Sequence, residues 1–399
     1  MFERDDYTAD QFALAEFVEQ LADDFDFTYS LENMRKGEFP RRFWEVLGTG
    51  GYLGILAPSA HGGAGSNIED LVVLIHNLAR KGLASHQLLN QIVCCDLLTR
   101  YGSAAQQRKH VPELISGSLC ALALMEQTEG MDLFDLDMRA PRDAESYRLT
   151  GTKRFVAGAR AASRMLVFAR TAPDPEGDRK QGLSLFVVDP HQQGVETVPR
   201  ELNVRVTPDE ELVQITGDAF FDVVFDDLKV SHGDLIGEEG RGGEAVCEAG
   251  NLLFILSAVT AIGWGESVLE KAIEHAKTRV VFKDPIGSYQ AIQHPMVRAK
   301  TELELAKLAI ARAVSAYDKR DADLPVYASV AKCAATEAAY SACDISLQAL
   351  GGGGFDRETG VITLWPLILL SRILPLNNEV ILERFAEAAL DLPIGASTG

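Results

Sequence analysis

The hydrophobic period of this chain changes twice, and the two changes divide it into three zones. From about residue 8 to 117, apolar side chains recur at helical spacing, as in Phe12, Ala15, Phe17, Val18 and Leu21. Between about 118 and 230 the texture becomes short β-type runs at 147–149, 165–169, 183–188 and 219–224. Turn residues such as Pro173-Asp174-Pro175 and Asp189-Pro190 separate them. After Ile236 the helical period returns to the end, with helix-length stretches at 243–279, 290–319, 325–350 and 366–390. Strands and helices are segregated, an order unusual for an enzyme of this size, where alternating βαβ units are more common. The expected class is α+β: an N-terminal helical domain over 1–117, a middle β-barrel or sandwich over 118–235, and an antiparallel four-helix bundle over 236–399.

A chain of 399 residues, 47% of them hydrophobic, has enough apolar surface for a large core in several packed domains. Its 38 basic and 58 acidic residues leave a formal charge of -20, which repels nucleic acid and anionic lipid. Phosphorylated ligands remain compatible, because they need only a local basic pocket. The opening MFERDDYTAD has no apolar signal core. The longest apolar stretch, 252–264, is short for a membrane span. A soluble cytoplasmic protein is expected. The six cysteines, Cys94, Cys95, Cys120, Cys247, Cys333 and Cys343, form no CxxC pair. They read as buried thiols, with no metal site.

Three stretches stand out within this frame. Gly237-Glu-Glu-Gly240-Arg-Gly242-Gly243 resembles a phosphate loop, but a helical bundle follows it, which favours a loop leading into a helix N-terminus. Gln348-Ala-Leu-Gly-Gly-Gly-Gly354-Phe355 ends a long helix in four glycines where one C-cap glycine suffices. The surplus costs backbone entropy, so close approach to a ligand and a loose cap are equal readings. Arg279-Val-Val-Phe282, followed by Tyr289-Gln290, places a cation, an aromatic and an amide where one helix breaks and another begins. The plain alternative is Arg279 satisfying the last helical carbonyls. Thr150-Gly-Thr-Lys153 reads locally as a turn between two β runs.

Taken in order, these stretches resemble the acyl-CoA dehydrogenase superfamily over nearly the whole chain. CALALMEQTEGMDL (120–133) is similar to that family's loop past flavin and thioester, and LTGTKRFVAGA (149–159) to its strand against the flavin ring. RVVFKDPIGSYQAI (279–292) is similar to its Arg-x-x-Phe segment, and QALGGGGFDRE (348–358) to its glycine-rich segment that reaches a neighbouring subunit's FAD. The resemblance implies FAD. It implies that Leu122, Leu124, Met125, Gly130 and Met131 line the isoalloxazine, with Phe155, Val156 and Ala157 on its other side. Arg279, Phe282, Gln290, Gln348 and Gly352 would hold the pyrophosphate and adenine across a subunit interface, with Asn377 also at the cofactor. A homodimer or homotetramer follows from a shared cofactor.

The departures from the family pattern are chemical. Pro375 stands where the family's catalytic Glu is usual, and Leu253 where some members carry it on the first bundle helix. Met125, Met131 and Ala157 replace residues that are usually hydroxylated. Ordinary α,β-dehydrogenation removes an α-proton, and a positioned base contributes about a hundredfold to ten-thousandfold. Three routes stay open. Glu379, one turn beyond Pro375, can serve as a relocated base. Arg372 can orient the carboxylate of a β-keto acid that loses CO2 instead of a proton. Reduced flavin can react with oxygen in a monooxygenase. The expected activity is oxidation of an acyl thioester or carboxylated acyl substrate, on CoA or a carrier protein, in specialised metabolism. A flavin-binding scaffold is the non-enzymatic alternative.

Overall fold

The computed structural model describes residues 2–392 except 26–28, 30, 31, 34, 35, 37, 128–133, 135, 174–179, 201, 202, 205–212, 215–219, 357 and 358. In chain order the described helices are α1 (Ala9–Asp24), α2 (Arg41–Thr49), α3 (Ile68–Arg80), α4 (His86–Tyr101), α5 (Ala104–Ile115), α6 (Gly242–Thr278), α7 (Gln290–Asp318), α8 (Leu324–Leu350), α9 (Val361–Ser371) and α10 (Asn378–Leu390). The strands are β1 (Cys120–Ala123), β2 (Arg142–Asp143), β3 (Ser146–Ala157), β4 (Arg164–Arg170), β5 (Leu183–Val188), β6 (Val195–Arg200), β7 (Asn203–Val204), β8 (Val213–Gln214), β9 (Phe220–Ser231), β10 (Leu235–Ile236), β11 (Val280–Val281) and β12 (Asp284–Pro285). The helical, β, helical order expected from the periodicity is the order found.

The chain forms two compact units. Among the described residues, the sheet unit falls within Glu32–Asn67 and Ser85–Gly250, and the bundle unit within Met1–Leu31, Ile68–Ala84 and Asn251–Gly395. In the sheet unit, α4 and α5 start at serine caps. Ser85 Oγ accepts from Leu88 N, and Ser103 forms a reciprocal capping box with Gln106. The strands make two four-stranded sheets, ordered β1-β4-β5-β10 and β2-β3-β9-β6. β1 runs parallel to β4, whereas β3 and β9 pair antiparallel along most of their length. β1, β4 and β5 are almost wholly buried and read as continuous apolar runs, as strands covered on both faces do.

The expected turn at 150–153 is instead the middle of β3. Its register shifts between Leu149 and Gly151 and again between Lys153 and Val156. Gly151 has φ +148°, and a Cβ there would lie 2.9 Å from the Met138 side chain. The glycine therefore marks a bulge in a continuous strand.

In the bundle unit, α7 packs along α8, while α9 and α10 pack on α8 and α1 on α3. α1 begins with a Thr8–Gln11 capping box. The stretch 366–390, expected as one helix, is two. α9 stops at Ser371 and α10 starts at Asn378, with a turn between that contains a cis Leu374–Pro375 peptide. Pro375 has no N–H to continue the ladder, and the Asn378 N–H returns to the Arg372 carbonyl at 2.9 Å. α6 is long and apolar enough to cross a membrane, but 83% of its most apolar window is buried, as in a core helix.

A polar cluster is sealed inside this unit. Glu266 on α6 meets His76 Nε2 of α3 at 2.8 Å and Lys307 Nζ of α7 at 2.5 Å. Burial alone would raise the Glu266 pKa, but the His76 hydrogen bond and then Lys307 hold it far below the ordinary carboxylate range. His76 is pushed down by burial, only partly offset by Glu266, and so stays neutral. Its buried Nδ1 has no partner among the described residues.

Candidate functional site

The loop after β1 and the middle of β3 are joined by a buried ion pair. Lys153 Nζ lies 2.5 Å from Glu126 Oε1 and donates to the Leu124 carbonyl at 3.2 Å. Glu126 Oε2 accepts from the Asp137 and Met138 amides at 2.7 and 3.1 Å. Burial lowers the Lys153 pKa despite its carboxylate partner. The Arg154 amide then donates to the Met125 carbonyl at 2.8 Å, which sets the 122–125 and 155–157 segments side by side.

Within this arrangement Leu122, Leu124, Val156 and Ala157 are closed into the sheet unit. Met125 is half-buried. Phe155 is 40% exposed at the second β3 bulge and has φ +52°, a left-handed conformation costly for an aromatic residue. The Arg200 guanidinium lies 4.2 Å from its ring centroid. Asp222 binds both Arg154 and Arg200. Gly130 and Met131 lie outside the described residues.

The bundle unit carries the remaining candidates. β11 and β12 form a hairpin whose two loop residues, Phe282 and Lys283, have φ +61° and +134°. Phe282 is 88% exposed, and Arg279 and Gln290 on either side of the hairpin are exposed as well. Gln348 is exposed in the last turn of α8. Beyond it, Gly351, Gly352 and Gly353 have nothing within 4 Å of a built Cβ. These three glycines thus leave open space, whereas a Cβ on Gly354 would lie 3.1 Å from the Leu347 carbonyl oxygen.

The positions named for the base are apolar. Leu253 lies 4% exposed in α6 between buried Leu252 and Phe254. Pro375 is half-buried between Leu374 and Leu376. Asn377 Oδ1 accepts from the Glu379 amide at 3.2 Å, an N-cap bond for α10. Its side chain is therefore engaged in the helix start. Glu379 is exposed in the first turn of α10. Arg372 Nε donates to Glu337 Oε1 at 2.8 Å, and its guanidinium lies 4.9 Å from the Tyr340 ring.

Known proteins show the same three-part organisation. The N-terminal domain of acyl-CoA dehydrogenases matches residues 8–118, the middle domain 121–227 and the C-terminal domain 241–390. An acyl-CoA dehydrogenase of Bacillus subtilis (strain 168) is 30% identical over 346 residues, covering 86% of this chain and 88% of that protein. The chain belongs to the acyl-CoA dehydrogenase family. FadE12 of Mycobacterium tuberculosis (strain ATCC 25618 / H37Rv), an acyl-CoA dehydrogenase, is 29% identical over 384 residues and 96% of each chain. The solved FAD complex of PigA shares the fold, with a TM-score of 0.86 over 96% of this chain and 98% of that one, at 23% identity.

Sequence reasoning missed two lysines that organise these segments. Lys153 sits among Thr150, Gly151, Thr152 and Arg154, where a lysine reads as an ordinary exposed residue and gave no signal of its burial. Lys332 was findable. It falls on the helical stripe Ala328, Ala331, Ala335, Ala339 and Ala342, all buried, where a charged residue is out of place.

Proposed function

We propose that this protein is an FAD-dependent oxidoreductase acting on an acyl thioester, with Glu379 as a relocated base. Membership of the family supports flavin chemistry. The observation that carries the finer reading is the pairing of an apolar Leu253 and Pro375 with an exposed carboxylate at the head of α10. When bound, FAD would accept the hydride that leaves the substrate β-carbon. Glu379 would take the α-proton, so the substrate leaves with a new double bond and the carboxylate gains one proton. Asn377 and the start of α10 fix the backbone from which Glu379 projects.

The residues present fit a dinucleotide. Phe282, Arg279, Gln290 and Gln348 are exposed without a packing role in their own unit, and the Gly351–Gly353 backbone is open to close approach. Arg279 supplies charge for a pyrophosphate, and Phe282 an apolar face for an adenine. Met125 and Phe155 offer the accessible side chains on the isoalloxazine side. Exposure of so large a set favours a cofactor shared between two copies, hence a homodimer or homotetramer. Arg372 favours the decarboxylating route less, because Glu337 already neutralises it.

Anaerobic mixing of the flavin-loaded protein with acyl thioesters, on CoA and on a carrier protein, tests the reading. Loss of oxidised-flavin absorbance without CO2 is expected, and Glu379→Gln should slow it about a hundredfold or more. Unchanged reduction in that variant removes Glu379 from the chemistry. CO2 release would establish decarboxylative oxidation instead, and oxygen incorporated into product a monooxygenase. Failure of the purified protein to retain flavin overturns the whole assignment.

A further inference from the structure

One side chain of α8 grips both ends of the turn from which Arg372 and Glu379 project. Lys332 Nζ donates to the Arg372 carbonyl at 3.1 Å, the Leu376 carbonyl at 2.8 Å and Asn378 Oδ1 at 2.6 Å. An ammonium has three donors, and three oxygens meet them. Asn378 extends the grip: its Nδ2 donates to Thr336 Oγ1 at 3.0 Å and to Glu337 Oε1 at 2.8 Å. Glu337 Oε1 also accepts from Arg372 Nε. Lys332, Thr336 and Glu337 lie within a turn and a half of α8, so one helix surface fixes the turn where it leaves α9 and where it starts α10.

This is a costly way to close a helix junction. Lys332 is fully buried, and its three direct partners are all neutral oxygens. The other titratable groups facing it are Cys333 and Glu337 on α8, Glu379 on α10 and Arg372 in the turn. Another alanine at this position would continue the apolar stripe without desolvating a charge. A buried cation retained beside candidate chemistry points to a role there.

We propose that Lys332 is a positioning residue that holds the 372–378 turn so that the Glu379 carboxylate is presented to the substrate at one fixed place. The inference rests on the reading of Glu379 above. Burial pushes the Lys332 pKa down to about 8. Opening the turn to water restores the free-lysine pKa, so the grip tightens as pH climbs from about 8 towards about 10.4.

Two variants and two readouts test this. Lys332→Met should cut the rate of flavin reduction by an acyl thioester about tenfold or more with a smaller change in KM. The second readout needs no turnover. Releasing the turn brings Lys332 to water, where it takes up a proton, so hydrogen exchange of the 372–379 amides, corrected for intrinsic rates, should show wild-type protection that rises between about pH 8 and 10. Asn378→Asp puts a carboxylate against the ammonium, raises its pKa and should flatten that rise. Lys332→Met should lose protection across the range. A rise that persists unchanged in Asn378→Asp, or wild-type protection that does not change with pH, overturns the clamp, and either decides the matter even if Lys332→Met does not fold. If no thioester reduces the flavin yet exchange follows this pattern, the oxidoreductase reading has failed while the clamp stands.

Discussion

Two lysines of the bundle unit are both buried and meet opposite surroundings. Lys307 on α7 is ringed by carboxylates: Glu266 at 2.5 Å, and Glu304 and Glu3 each at 3.2 Å. Lys332 on α8 is ringed by two carbonyls and a side-chain amide. Burial works against the cation in both. For Lys307 the Glu266 carboxylate more than cancels that penalty and holds the pKa above the ordinary value, whereas Lys332 drops to about 8. The same residue type is therefore a permanent staple in one place and a group that titrates near physiological pH in the other. Both side chains are buried, Lys332 the more deeply, and the formal charge of the partners sets the sign of the shift.

The largest expected effect breaks the staple. Glu266→Leu removes the acceptor of both His76 and Lys307, leaving a buried cation without its closest counter-charge. Breaking such a pair costs about 3–5 kcal/mol, to be read as a lowered urea or thermal midpoint. Lys332→Met leaves the buried Leu376 carbonyl without its donor and takes one bond each from the Arg372 carbonyl and Asn378 Oδ1, and should cost less, about 1–3 kcal/mol. If the Lys332 variant proves the less stable of the two, the contrast drawn from partner charge is wrong.

The pH dependence sharpens the contrast because the signs differ. Lys332 is near 8 in the folded protein and about 10.4 unfolded. Between those values the unfolded chain binds more protons, so this residue makes stability rise with pH, by about 2–3 kcal/mol across the window. Lys332→Met should remove that rise, seen in unfolding midpoints measured across the window. Lys307 works the other way: its folded pKa is raised, so its contribution is complete at neutral pH and is lost only as pH climbs through that folded value. His76 acts on the acid side. Its folded pKa lies below the unfolded value, so the unfolded chain takes up the proton first and stability falls as pH drops below about 6.5. Glu266, also depressed, adds to the loss below its unfolded value near 4.5. His76→Gln keeps a donor to Glu266 but cannot titrate, and should flatten the upper part of this acid limb. An unaltered limb would assign it to other groups.

The same contrast explains what the sequence made legible. Helical period in α1, α6, α7 and α8 and β texture in β4, β5 and β9 were readable because burial of a face leaves a repeating signature. The break at 372–377 was less readable. Leu367, Ile368, Leu376 and Ile381 are all buried, so the apolar pattern runs through the turn, and only Pro375 marked it. The Thr150–Lys153 stretch was misread because Gly151 serves as a bulge as readily as a turn. Among the candidate residues, Phe282, Gln348 and Gly352 are exposed, a property that local sequence left open. Lys332, Asn378 and Glu337 were invisible as a group, since they come together only when α8 packs against a turn some 40 residues later.

The smallest expected effect marks the surface limit of the argument. Arg80 at the end of α3 makes a two-pronged contact with Glu270 on α6, Nη2 to the two carboxylate oxygens at 2.6 and 2.7 Å. Those distances rival the buried pairs, yet the side chains are 37% and 56% exposed. Water and salt screen such a pair, and ordering two long side chains offsets its attraction, so it is worth about 0–1 kcal/mol. Glu270→Gln should shift the unfolding midpoint by little, and the shift should shrink further as ionic strength rises. A salt-insensitive loss as large as that of Glu266→Leu would mean that geometry, and not exclusion of water, sets the strength of ion pairs in this unit. The same result would remove the ground for separating Lys307 from Lys332 by what surrounds them.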